Sequence, residues 1–381
     1  IPYLCGLWRF ANAYNLFRIC FGSNKISFAE EIEEINVDEF VHQKAVSLLQ
    51  EGYKNYYEFT GSKATLCCRH NVDSKTQLTF LLEVNATLLA EKVEDLDYFQ
   101  GILSYFNIEV DEYKTYSKEK IESLISKKNN LKNETYNLKM LTYIDEVYNN
   151  LEQYINKEQI LTFYAKATYG DNYSDLEILF ENGYDYCKAE AMYPKETILK
   201  SIGHNHMQEV SEKVSKNAFN ADSLMREKSS SFSITFAMIY ACRYTSNPTK
   251  CDCGSSSCVP MYDASKWNSS YSKYPHSDCA NFVSQVLNAG LLPTDSNWFK
   301  DSSAWINVSS FKDYMLNKGY LEIVDASQAK AGTVLSFNNE SHVAIITSFD
   351  GVTYKYSGHT RDRLNATINL GSNVTCYNVI Y

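Results

Sequence analysis

Positive charge is in short supply. The 381 residues carry 36 Lys and Arg against 46 Asp and Glu, a formal net charge of −10. That balance disfavours nucleic acid or an anionic membrane as the main partner. Long apolar runs are missing too. The longest, Phe232 to Ala241, falls far short of the roughly 20 residues that a membrane-crossing helix needs, so no membrane span is expected. Proline is scarce, with Pro2 and Pro194 the only two before residue 230. No internal repeat is visible. Metal-ligand spacing is also lacking. The cluster Cys251-x-Cys253-x4-Cys258 has no second knuckle to complete a zinc set. His204 and His206 alternate on a helical stretch and so point in different directions. The expectation is therefore no metal and no cofactor.

What is present is apolar and aromatic. With 44 % hydrophobic and 14 % aromatic residues the chain can bury real cores, and its length exceeds what one core usually serves. Thirty tyrosines suggest a wet, aromatic-rich surface. Two domains are expected: residues 1–230, mainly helical and of unknown role, and residues 231–381, with a Cys-rich insertion at about 250–274.

In the first part, helical spacing of apolar residues runs through Glu31 to Tyr57 and Leu138 to Ile155. Asp175 to Tyr186 and Lys195 to Ala218 look similar, and Lys118 to Lys132 is a charged amphipathic helix or linker. Only Thr76 to Val84 has strand character. After Ser229-Ser230-Ser231 the pattern changes. Helices are expected at Ile234 to Tyr244, Cys279 to Ala289 (with Gly290 as the stop) and Ser310 to Gly319. Strands follow at Thr333 to Phe337, His342 to Phe349 and Val352 to Ser357, with Asp350-Gly351 as a hairpin signal. The fold class expected is α+β: a mostly helical N-terminal region, then a Cys-bearing helix packed on an antiparallel sheet that bears a His.

Two residues in that last part have the placement that thiol catalysis needs. Cys279 opens a helix, where free N–H groups and the helix dipole favour a thiolate and can hold an oxyanion. His342 opens a strand and can serve as general base. His359, past the hairpin, can bond the far nitrogen of His342 and fix its tautomer, with Asp362 and Asn338 as alternatives. The order Cys, His, polar residue is the papain-like one.

The segments "SDCANFVSQVLNAG", "NWFKDSSAW", "FKDYMLNKGY", "SHVAIITSF" and "YSGHTRDRLN" resemble the putative amidase domain family, a relative of the CHAP group of papain-like peptidoglycan hydrolases, over about residues 240–370. The resemblance implies that Cys279 is the nucleophile, His342 the base and His359 the third polar residue. It also implies that Trp298, Trp305, Asn281 and Gln285 line or support the substrate cleft. The chain departs from the family at Thr333, where an Asp is usual, at Ala280, where Thr or Ser is usual, and in the insertion before the nucleophile.

The expected function is a secreted cysteine hydrolase of amide bonds in peptidoglycan or peptides, acting through a thioester. The alternative is a structural or adhesive glycoprotein that retains the domain and self-assembles through its helical region. A thioester cleared by an amine instead of water, giving transpeptidation, is a third reading. Secretion or a lysosome-like compartment is inferred from several features. The numbering starts at Ile1 instead of Met, as after signal-peptide removal. Sequons stand at Asn85, Asn133, Asn172, Asn268, Asn307, Asn339, Asn365 and Asn373. Of eleven cysteines, ten remain to form disulfides once Cys279 is set aside.

Overall fold

The computed structural model describes residues 37–113, 115–129, 134–171, 173, 175–194, 196–219, 232–251, 262–337, 341–371 and 373–381. Helix α1 (Glu39–Tyr53) starts at Asp38, whose carboxylate accepts the Phe40 N–H, and it buries Val41, Ala45, Leu49 and Tyr53 at helical spacing. Strands β1 (Tyr57–Val72) and β2 (Lys75–Leu88) then form a long hairpin. Its turn residues Asp73 and Ser74 both have positive φ, the twist that two-residue hairpins require.

Three longer helices follow, α2 (Asp97–Tyr105), α3 (Lys118–Asn129) and α4 (Glu134–Glu152), with a single helical turn at Val110–Tyr113 between the first two. Strand β3 (Glu158–Tyr169) returns beside β2, and the short hairpin β4 (Glu177–Asn182) and β5 (Asp185–Cys187) hangs from it. Helix α5 (Glu196–Phe219) closes the first part by crossing α2 at two glycines. A Cβ on Gly101 would sit 2.0 Å from the Lys200 carbonyl oxygen, and one on Gly203 would sit 1.9 Å from that of Tyr98, so the backbones touch.

The second part holds α6 (Ile234–Arg243), α7 (Cys279–Ala289) and α8 (Val308–Lys318). Strands β6 (Leu321–Val324), β7 (Val334–Phe337), β8 (His342–Phe349), β9 (Tyr354–Gly358), β10 (Arg363–Ile368) and β11 (Val374–Val379) follow. The eleven strands among the described residues belong to one sheet, in the order β1-β2-β3-β10-β9-β8-β7-β11-β6 with β4 and β5 branching from β3. Every pairing is antiparallel except the β3–β10 junction, where Thr162 meets Ala366 in parallel, so the sheet is mixed.

The molecule is α+β, and among its described residues the first part combines helices with strands that, β2 apart, the sequence did not announce. Five strands run through it, and Asp175 to Tyr186, expected as helix, is the β4–β5 hairpin.

Side-chain alternation along β8 separates two cores. Val343 and Ile345 pack with Phe282, Val283, Val286 and Leu287 of α7, whereas Ala344 and Ile346 pack with Phe337, Tyr354 and Tyr356 on the opposite face. Helix α7 is buried from Cys279 through Leu287, as a central helix covered on all sides must be. A third core fills the first part and takes in Val352 from the β8–β9 turn.

Candidate active site

Helix α7 begins at Cys279, with Asp278 as its cap residue. Cys279 is 4 % exposed, and its thiol donates to the Ser341 carbonyl oxygen at 3.9 Å. Backbone N–H groups of Val343 and Ala280 also face the sulfur. The sulfur thus lies against the backbone on both sides of His342, the first residue of β8. Burial pushes the thiol's pKa up, and the two N–H groups oppose that rise without overcoming it. The helix start alone therefore does not make a thiolate here. Removal from water outweighs the backbone N–H bonds.

His342 is 3 % exposed, and its ring contacts Tyr184 (centroids 4.2 Å apart) and Phe337 (5.5 Å). The Tyr184 hydroxyl is 2.9 Å from Nδ1. Burial holds the imidazole well below its usual pKa, with Arg361, Arg363 and His359 adding to the effect. The resting pair is a neutral thiol and a neutral imidazole, with the thiol's hydrogen bond going to a carbonyl instead of the ring. Unliganded sites often hold such bonds loosely.

His359 does not orient His342. Its Nδ1 lies 2.6 Å from Asp278 Oδ2 and its Nε2 lies 2.7 Å from the Tyr244 carbonyl oxygen, so neither nitrogen is left for a second ring. The ring is clamped between Phe282 at 4.1 Å and Trp267 at 4.5 Å. Asp278 in turn accepts from Tyr274 N–H and Asn281 Nδ2, both at 2.9 Å. This buried network fixes the start of α7. Asp362, an alternative orienter from sequence, accepts instead from Trp267 Nε1 at 2.8 Å and Asp263 N–H at 3.0 Å. Asn338 lies outside the described residues.

The four residues expected to touch substrate are all buried. Trp298 and Trp305 are 0 % and 1 % exposed, Asn281 is 0 % and Gln285 is 3 %. Trp305 Nε1 donates to Asn281 Oδ1 at 2.9 Å, Trp298 Nε1 donates to Ser284 Oγ at 3.2 Å, and Tyr240 OH donates to Gln285 Oε1 at 2.6 Å. Their polar atoms are taken up in holding α7, so they support the site instead of lining it. Sequence reasoning missed Tyr184, Tyr244 and Asp278. Asp278 had a signal, since it stands beside Cys279 in the motif. Tyr184 had none, because it sits in a hairpin about 160 residues from its partner in sequence.

Among the described residues Cys67, Cys187, Cys251 and Cys376, four of the ten cysteines expected to pair, form no disulfide. Cys5, Cys20, Cys253 and Cys258 lie outside the described residues. Of the sequon asparagines, Asn307 and Asn373 are exposed, whereas Asn85, Asn268 and Asn365 are half-buried. Asn133, Asn172 and Asn339 lie outside the described residues.

No solved structure matches the chain. A stretch of 118 residues is 32 % identical to "Uncharacterized protein YjcM" of Bacillus subtilis (strain 168), covering 27 % of this chain and 29 % of that protein. The Cys279 helix, the His342 strand and the Asp278–His359 network all fall within one matched segment: residues 232–380 match the family described as "Putative amidase domain", which supports hydrolysis of amides as the general chemistry.

Proposed function

We propose that the chain is a cysteine-dependent amide hydrolase acting on peptides, with bacterial wall peptides as the leading substrate. The observation that carries this reading is the placement of the Cys279 thiol at a buried helix start, against the backbone on either side of His342.

On substrate binding the thiol proton passes to His342, and the sulfur attacks the amide carbonyl carbon. Helix-start N–H groups stabilise the oxyanion as the tetrahedral intermediate forms. His342 then gives its proton to the leaving amine, leaving a thioester. Water attacks the thioester, its proton goes to His342, and the acid leaves with Cys279 restored. Because thiol and imidazole are both neutral at rest, proton transfer accompanies attack instead of preceding it.

We place the enzyme in a secretory or lysosome-like compartment, with Asn307 and Asn373 as the glycan acceptors that their exposure favours. The test is turnover of synthetic muropeptides by the full chain and by Cys279→Ser. The variant is expected to lose about a thousandfold or more in kcat. Equal turnover by the variant would remove Cys279 from the mechanism.

A further inference from the structure

The β4–β5 hairpin comes from outside residues 232–380, yet it reaches the candidate base. Its turn residue Gly183 has φ +69°, and a Cβ there would sit 2.2 Å from the Phe337 ring, so only glycine allows the turn to seat so close. The next residue, Tyr184, sets its ring tilted against His342, centroids 4.2 Å apart, and places its hydroxyl 2.9 Å from Nδ1.

The hairpin is held by several independent links. Glu181 accepts two bonds from the fully buried Arg363, at 2.6 and 2.8 Å. Asn182 exchanges bonds with the Asn369 backbone at 3.0 and 2.9 Å. Arg361 donates to the Tyr184 carbonyl oxygen at 2.8 Å while its guanidinium covers the Tyr184 ring at 4.1 Å. A loop fastened this way delivers the hydroxyl with little freedom.

We propose that Tyr184 is a positioning residue for His342, so that the hydrolase site is completed by the part of the chain that precedes the amidase domain. The inference rests on reading His342 as the general base. To take the Cys279 proton, Nε2 must be the bare nitrogen, so the ring must carry its proton on Nδ1. The tautomer is set by what Nδ1 meets. The Tyr184 oxygen accepts that N–H, and it continues to do so when the ring becomes an imidazolium. Burial raises the Tyr184 phenol well above its usual pKa, so the partner stays a neutral hydroxyl and does not trap the ring as a permanent cation. Simple packing would account for the ring contacts. It would not require the hydroxyl to meet a nitrogen.

The test uses the full chain with ¹⁵N-labelled histidine, assigned with a His342→Gln variant. The wild-type His342 signals are expected to show a protonated Nδ1 and a bare Nε2. Tyr184→Phe keeps the ring and its Arg361 contact, and is expected to give a mixture of tautomers. Iodoacetamide alkylation of Cys279, mapped by peptide, is expected to slow by about three- to tenfold in that variant, the scale of one lost hydrogen bond. A wild-type ring protonated on Nε2 overturns the proposal without any variant, as do unchanged tautomer and unchanged rate in Tyr184→Phe. Failure of the underlying reading looks different: a His342→Ala chain alkylated at the wild-type rate removes the base, whatever the nitrogen shifts say of Tyr184.

Discussion

At the residue scale Cys279 and His342, the proposed nucleophile and base, are set against the usual expectation for a thiolate–imidazolium pair. Burial acts on both in the direction that disfavours charge, raising Cys279 and lowering His342. The free enzyme's reactivity toward iodoacetamide should therefore keep rising with pH beyond the ordinary thiol value of 9.0. It should not plateau in the mildly acidic range, as a preformed ion pair would. Alkylation rates of Cys279, followed by peptide mapping from about pH 5 to about pH 10, decide this. A plateau below neutrality would show that the thiolate forms without substrate.

The same scale explains how His359 serves the start of α7 without touching His342. Pinned between Asp278 and the Tyr244 carbonyl, it anchors the residue just before Cys279. Sequence order alone suggested an orienter. Only the contacts reveal that it orients the helix start instead of the imidazole.

At the scale of elements, legibility in the sequence follows how local the causes are. Helix α7 ends at Ala289, as its apolar positions and Gly290 announce, and β8 runs from His342 to Phe349 around the apolar run Val343 to Ile346 that announces it. Strand β1 was not legible. It is a sheet edge, exposed over most of its first half and interrupted by irregularities at Phe59/Gly61 and Leu66/Cys68, so no clean alternation survives. The β4–β5 hairpin reads as helix because Leu176, Leu179 and Phe180 fall at i, i+3 and i+4, the helical spacing. What makes it a hairpin is a buried Glu181 answered by Arg363, a partner 182 residues away.

The packing of α5 on α2 and α4 carries its own pH signature. His206 lies between the Tyr98 and Tyr143 hydroxyls, and burial, with Lys330 and Lys213 adding, lowers its pKa to about 4 from 6.5. The unfolded chain binds that proton below 6.5 and the native chain does not until about 4. Stability is thus lost as pH falls across that window and levels off beneath it. The loss from this group is about 3 kcal/mol. Subtracting the urea-unfolding curve of His206→Gln from that of wild type at a series of pH values isolates it from other histidines. A flat difference would mean that His206 is not held neutral.

At the scale of the whole molecule the two parts are interlocked in both directions. The β4–β5 hairpin enters the second part through Glu181, Asn182 and Tyr184. Conversely, the β8–β9 turn enters the first part, where Tyr57 OH donates to Asp350 Oδ2 at 2.7 Å and to Thr353 Oγ1 at 3.0 Å, and Gly351 sits against Leu96 and Leu151. Lys355, 4 % exposed, donates to the Ile160 carbonyl oxygen at 2.9 Å, and the Arg363 guanidinium covers the Tyr164 ring at 3.7 Å. Separating the parts would break the Glu181–Arg363 pair and the Lys355 bonds to Gln159 and Ile160 along with the packing around them. The chain should therefore unfold in one transition despite its length. Three of its four tryptophans (Trp267, Trp298 and Trp305) lie in the second part, so their fluorescence reports on that part alone. Hydrogen exchange at β2 and β3 reports on the first. The two probes are expected to give the same urea midpoint, and Glu181→Ala to lower both together by about 3–5 kcal/mol of stability. Two separate midpoints, or a Glu181→Ala effect confined to the tryptophans, would mean that each part folds alone and that the hairpin merely rests on the site it reaches.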